Sequence, residues 1–192
     1  MKKVTATCAF VGKGEQTLLG YKKEGFAKGF YNGIGGKVDD GESVAQAMVR
    51  ELREETGLVA KIYQKVGEIE LDEHYAGEHV LMDMHIYRVS KFYGKAVETD
   101  EMRPEWFDRD SIPYDKLLPS DRKWMEMVLD GKRVKGSIKF DEDHNALSEK
   151  IKVVGRWEWT AAKASKKKWV KAVKTEYTTT LKDTLRVPEI HS

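Results

Sequence analysis

Gly35-Gly36-Lys37-Val38-Asp39-Asp40-Gly41-Glu42-Ser43-Val44-Ala45-Gln46-Ala47-Met48-Val49-Arg50-Glu51-Leu52-Arg53-Glu54-Glu55-Thr56-Gly57-Leu58 is the stretch that decides the fold. Ser43 followed three residues on by Gln46 is a capping-box pattern, and Gly57 stands where a left-handed helix cap would fall. Together they predict a helix over about Val44 to Thr56. At 3.6 residues per turn, Glu51, Glu54 and Glu55 share one face, whereas Ala45, Met48, Val49 and Leu52 occupy another arc. The helix therefore has a core side and an acidic side. The bland alternative is a solvated charged face. Against it, like charges three and four residues apart repel by a few tenths of a kcal/mol, and no lysine on this helix lies among them. A hard divalent cation is the natural counter-charge. Magnesium, which bridges carboxylates to substrate phosphates, can both neutralise phosphoryl oxygens and acidify a bound water.

Outward from this helix, Val4–Val11 and Thr17–Tyr21 flank Gly12-Lys13-Gly14-Glu15 and predict a hairpin. The glycine-rich run from Gly25 to Gly41 predicts loop with at most short strands, where backbone can approach a ligand. Val59–Leu71 and Val80–Val89 read as strands, Asp121–Leu129 as a second helix, and Val134–Phe140 with Leu147–Val154 as a last hairpin. The order predicts an α+β layered domain over residues 1–155.

Gly36, Glu42, Arg50, Glu51, Leu52, Glu54, Glu55, Gly57 and Leu58 match every specified position of G-x5-E-x7-R-E-U-x-E-E-x-G-U, with U aliphatic. The chain thus resembles the Nudix hydrolases, which cleave nucleoside diphosphates linked to another group. The resemblance implies an α/β/α sandwich around a mixed sheet. It also implies magnesium, with manganese as an alternative, held by Glu51 and Glu55 beside the Gly36 carbonyl. Glu54 would be a further ligand or the water-orienting base, and Arg50 would orient the carboxylates. Glu101, in Glu98-Thr99-Asp100-Glu101-Met102-Arg103-Pro104, resembles the extra glutamate that many members supply from a distant loop; taken alone it reads as a surface charge.

Beyond the box, Leu18-Leu19-Gly20-Tyr21-Lys22-Lys23, Asn32-Gly33-Ile34-Gly35-Gly36-Lys37-Val38, Leu81-Met82-Asp83-Met84-His85 and Asp100–Phe107 are similar to the MutT-like oxidised-purine triphosphatases. That similarity spans about residues 4 to 154. It implies release of a monophosphate and pyrophosphate from substrates such as 8-oxo-dGTP, a nucleotide-pool sanitising role. The substrate positions it points to are Thr7, Lys22, Phe26, Asn32, Met82, Ser120, Asp121 and Trp124. Asn32 can donate and accept on a base edge, and Phe26 or Trp124 can cover a base face; large apolar residues such as Phe26, Met82 and Trp124 are equally at home in a core. Two positions depart from the group. Ser120 precedes Asp121 where the group has two aspartates, and Leu118 replaces a stacking tryptophan. Loss of the neighbouring carboxylate removes a coupled proton site, so 8-oxo-dGTP is expected to remain a substrate, with either a narrower range of oxidised purines or weaker discrimination against dGTP. The rival readings are a Nudix hydrolase of another nucleotide, and a nucleotide- or RNA-binding module without turnover; retention of all three glutamates argues against the latter.

Within the 192 residues, 40% are hydrophobic and 34% charged, with no apolar run near the roughly 20 residues that cross a bilayer. No membrane partner is expected. Lys2 and Lys3 precede an apolar stretch too broken by Thr5, Thr7 and Gly12 for a secretory leader. The single cysteine, Cys8, has apolar neighbours and suits a reducing cytoplasm. Residues 151–192 hold ten Lys or Arg against four Asp or Glu, while net charge over the whole chain is only +2. Residues 156–192 therefore read as a basic extension. In it, Trp159, Ala162, Trp169, Val170 and Val173 approximate a helical stripe, and the lysines offer either a nucleic-acid contact or a solvated face. His74, His79, His85, His144 and His191 show no metal-ligand spacing, and a monomer is expected.

Overall fold

The computed structural model describes residues 1–25, 27–75, 78–141 and 145–155. Phe26, His144, His191 and the helical stripe of the basic extension lie outside the described residues.

The elements in chain order are β1 (Lys2–Lys13), β2 (Gln16–Lys22), β3 (Tyr31–Asn32), α1 (Val44–Thr56), β4 (Val59–Tyr75), β5 (Glu78–Tyr93), β6 (Met102–Asp108), α2 (Arg122–Leu129), β7 (Val134–Phe140) and β8 (Ala146–Val153). One mixed sheet runs β3-β2-β1-β5-β4-β7-β8, with β6 paired to β2. The parallel pairs are β1–β5 and β4–β7. Residues Met1–Val154 form a compact unit.

Side chains alternate across a strand, and the two faces of the sheet feed two cores. On one, Met48 and Leu52 of α1 pack with Ala9, Val11, Leu18, Ile34, Tyr87 and Val89. On the other, Trp124, Met125 and Val128 of α2 pack with Cys8, Phe10, Ile69, Leu71, Met84 and Ile86. This is the α/β/α layering expected, with α1 spanning the predicted residues. The capping box closes as read: the Ser43 hydroxyl accepts from Gln46 N–H, the Gln46 side chain accepts from Ser43 N–H, and Gly57 turns left-handed at φ 73°. Such a cap contributes about 0.5–2 kcal/mol.

Three differences from the sequence reading have physical causes. β4 and β5 run past the predicted ends because Asp72, Glu73, His74, Glu78 and His79, which lie outside the predicted strands, continue the ladder as Asp72–Leu81, Glu73–Val80 and His74–His79 pairs. An ion pair between His79 and Asp72 helps to hold that end. β6 went unread because Arg103, Pro104 and Glu105 break its alternation; it pairs with β2 alone, the edge position where a proline is tolerated. β3 spans two residues, too few for any pattern.

Candidate active site

The chain from Ile34 to Val38 lies along the edge of β1 that β5 leaves open. Ala9 and Ile34 exchange both backbone hydrogen bonds, Thr7 N–H donates to Gly36 O at 2.8 Å, and Val38 N–H to Thr5 O at 2.9 Å. This seating carries Gly35 and Gly36 to the acidic face of α1. A Cβ on Gly35 would stand 2.2 Å from Thr7 O, and one on Gly36 would stand 2.6 Å from the Glu51 carboxyl. Glycine here is a requirement of close approach, since the Glu51 carboxylate fills the space a side chain would take.

Arg50 holds the loop to the helix. Its guanidinium donates through Nη2 and Nε to Glu42 at 2.7 and 3.2 Å, through Nη1 to Glu51 at 2.8 Å and Glu54 at 2.9 Å, and through Nη2 to Lys37 O at 3.0 Å. Hydrogen bonding to Arg50 pulls the Glu42 carboxyl below its usual range. Glu54 is the most exposed of these carboxylates.

Glu55 is buried. Its two oxygens accept from Lys22 Nζ at 2.7 Å and from Gly35 N–H at 2.9 Å. Burial pushes the Glu55 carboxyl up, while the Lys22 charge and its hydrogen bond pull it down; the net direction is upward. Glu51 is likewise raised, by burial before the opposing pull of Arg50. A lysine therefore does reach the acidic face, although none lies on α1 among the acids: β2 delivers Lys22 from 33 residues away. This corrects the charge balance inferred from the helix alone.

Among the described residues, no three or more His, Cys, Asp or Glu side chains converge into a metal-holding group as they stand. The predicted carboxylates occupy one face, held apart by Arg50 and Lys22. Glu101 sits at the same edge of the molecule, its carbonyl accepting from Lys23 N–H at 2.8 Å, with its side chain exposed.

The predicted base-reading residues divide between the faces. Thr7 shares the α1 side with Ala9 and Val11, its hydroxyl 3.4 Å from Gly36 O. Asn32, Met82, Ser120, Asp121 and Trp124 belong to the α2 side. Trp124 is fully buried, edge-on to Phe10 at 6.1 Å, and its indole N–H donates to Asp121 Oδ1 at 3.0 Å. Trp124 therefore fixes Asp121 from behind and presents no open face to a base. The Ser120 hydroxyl lies 3.4 Å from the same oxygen. Asn32 Oδ1 accepts from Gly33 N–H at 2.7 Å and lies 4.0 Å from the Cys8 thiol. Burial raises the Asp121 carboxyl to about 6 against the pull of Trp124 and Ser120, with Glu73 pushing further upward.

The sequence reading took Cys8 as a thiol among apolar neighbours without bringing it to Asn32, and did not place Glu73 on this face, where both are buried. Cys8 is buried beside Asn32, its thiol held far above the usual range by burial and by the negative charges of Asp121 and Glu55. Strand alternation after Leu71 was the signal that could have placed Glu73 on this face.

Residues 1–128 match the NUDIX domain family model. The chain belongs to the Nudix family. Within this family it is 43% identical over 143 residues to an oxidized purine nucleoside triphosphate hydrolase of Danio rerio, covering 74% of this chain and 90% of that protein. It is 39% identical over 148 residues to the Mus musculus protein of the same name, covering 77% and 94% respectively. The crystal structure of a MutT protein from Bacillus halodurans superposes with a TM-score of 0.68 at 24% identity, over 77% of this chain and 97% of that one, a likeness of fold. The Nudix box is thus the Gly36–Leu58 segment already traced in the geometry.

Proposed function

We propose that this Nudix hydrolase cleaves oxidised purine nucleoside triphosphates such as 8-oxo-dGTP to the monophosphate and pyrophosphate, sanitising the nucleotide pool. The observation that carries the reading is the Glu51–Glu55 face seated against Gly35 and Gly36, on a chain whose curated relatives at 43% and 39% identity bear the name oxidized purine nucleoside triphosphate hydrolase.

The donor set fits a hard divalent cation. Glu51 fills the space a Gly36 side chain would take, and the buried carboxylates, both raised by burial, call for positive charge. Magnesium, or manganese in its place, would be held by Glu51, Glu55 and the Gly36 carbonyl, with Glu54 and Glu101 as further ligands. When bound it supplies charge neutralisation at the phosphoryl oxygens and a more acidic water. The chain's own residues do the remainder. Arg50 fixes the direction of Glu51 and Glu54, Gly35 N–H and Lys22 fix Glu55, and Glu54 or Glu55 accepts the proton of the attacking water. Lys22 stands ready to meet substrate phosphate, while Asn32 and Asp121 meet the purine edge.

No helix among the described residues is long and apolar enough to cross a membrane. On this reading the protein works as a cytoplasmic monomer, and residues 156–192 are a separate basic extension offering a non-specific nucleic-acid contact. The test is pyrophosphate release with magnesium across canonical and oxidised nucleotides. A higher kcat/KM for 8-oxo-dGTP than for dGTP is expected; equal values, or preference for a pyrimidine or dinucleotide, would remove the substrate while leaving the Nudix chemistry.

A further inference from the structure

Asp72 and His74 flank the buried Glu73 along β4, so alternation puts both on the opposite face of the sheet from it. His79 of β5 is the direct register partner of His74, and directly paired residues share a face. Their separation of five in the sequence fits no ligand pair on a helix; strand pairing is what makes them neighbours. The two rings stack, with centroids 4.9 Å apart and planes 18° from parallel.

The ring nitrogens are not equivalent. His79 Nε2 lies 2.5 Å from Asp72 Oδ1, and Asp72 Oδ2 meets Lys139 Nζ at 3.7 Å, which steadies the carboxylate. Hydrogen bonding to His79 pulls the Asp72 carboxyl below its usual range. Asp72 is therefore the acceptor and His79 Nε2 the donor, and in the neutral ring this leaves the Nδ1 lone pair open. His74 Nδ1 is buried and has no hydrogen-bond partner among the described residues. Buried polar atoms are nearly always paired, so an unmet one marks a site where a further partner belongs.

We propose that His74 and His79 form a two-histidine binding site for a borderline divalent transition ion of the zinc and nickel class, with Asp72 as the carboxylate that orients His79. Imidazole nitrogen suits such ions, whereas magnesium and calcium take oxygen. The site and the acidic face of α1 therefore select different metals, and the proposal stands independently of the hydrolytic reading. Zinc–nitrogen bonds of about 2.0–2.1 Å place two nitrogens of one tetrahedral ion roughly 3.3 Å apart, a separation that stacked rings reach by pivoting about their side-chain torsions. A carboxylate on the second nitrogen of a metal-binding imidazole fixes the tautomer and raises the basicity of the first. Among the described residues, no set of three or more His, Cys, Asp or Glu side chains is arranged to hold a metal. The protein thus supplies two donors, water supplies the rest, and the ion is exchangeable. Once bound, it clips β4 to β5 near the last pairs of their ladder.

The experiment titrates the full-length protein with zinc chloride in excess magnesium, which saturates the acidic face of α1, while 15N NMR follows the histidine rings. The His74 and His79 Nδ1 signals should move together and saturate at one ion per chain, with those of His85 unmoved. Competition with a chromophoric chelator should show zinc affinity falling roughly tenfold or more in His74→Ala and in His79→Ala, and about tenfold in Asp72→Asn, which keeps both ligands. Zinc should raise the Tm of the natural protein and not that of His79→Ala. Because His79 is exposed, its alanine variant keeps the test open should His74→Ala fail to fold. Unchanged zinc affinity in His79→Ala overturns the site. So do His74 and His79 signals that respond equally to magnesium alone, or a zinc response confined to His144 or His191.

Discussion

The two faces of the sheet hold their functional groups in opposite ways. On the α1 side, a run of 24 residues contains the loop, the cap and the carboxylates, and Arg50 closes the circuit within it. On the α2 side, Cys8, Asn32, Glu73, Met82 and Asp121 come from β1, β3, β4, β5 and the start of α2. The first arrangement needs only local geometry to be right, so its chemistry is recognisable as a spacing. The second exists only when the whole sheet has assembled, so no single spacing in the sequence announces it.

This contrast is broken most severely on the α1 side. Glu55→Gln and Glu51→Gln keep the shape of the carboxyls and should cut turnover by roughly two or more orders of magnitude with a Tm near that of the natural protein. Coupled pyrophosphate release at saturating magnesium reads this; near-normal rates in both variants would remove the acidic face from the chemistry. Gly35→Ala comes next. Its Cβ would stand 2.2 Å from a backbone oxygen that has nowhere to go, so denaturant melts should show a loss of about 1–3 kcal/mol, together with lost activity as Glu55 loses its seat.

The α2 side should answer to pH instead. Burial raises Asp121 to about 6, above the roughly 3.9 of a free aspartate. Its protonated form therefore favours the folded state; that contribution is present in full below about pH 4 and is lost as pH rises through 6. Asp121→Asn, which keeps acceptors for Trp124 and Ser120, removes this dependence. Relative to the natural protein it should gain stability between pH 4 and 7, by on the order of 3 kcal/mol at most. Urea melts at several pH values measure it, and parallel curves for the two proteins would show that Asp121 titrates normally. The smallest effect is expected from removing residues 156–192. Activity on free nucleotides should change by no more than roughly twofold, while retention of an oligonucleotide at low salt should drop and its steep salt dependence disappear. Unchanged retention would assign any nucleic-acid contact to residues 1–155.

Legibility in the sequence followed the same division. α1, its two caps, both hairpins and the carboxylate face could be read because each depends on neighbours within a few residues. Lys22 at Glu55 could not, since nothing local links a lysine in β2 to a helix 33 residues on. Glu73 escaped for a different reason: an acidic residue in a polar stretch argues for a loop until strand pairing carries it inward. Trp124 was legible as an aromatic of this compartment, but its burial behind Asp121 depends on Phe10 of β1.

The ion pairs of Arg50 and Lys22 have a consequence for how this protein withstands its surroundings. Many small folds that gather acidic side chains around a cation unravel when a chelator takes it, because binding and folding draw on the same free energy. Here the acids are partly compensated by the chain's own groups, with Arg50 paired to Glu42, Glu51 and Glu54 and Lys22 paired to Glu55. On the proposed reading, a fall in free divalent ion is expected to stop hydrolysis while these ion pairs keep the acidic face of α1 seated and the core covered.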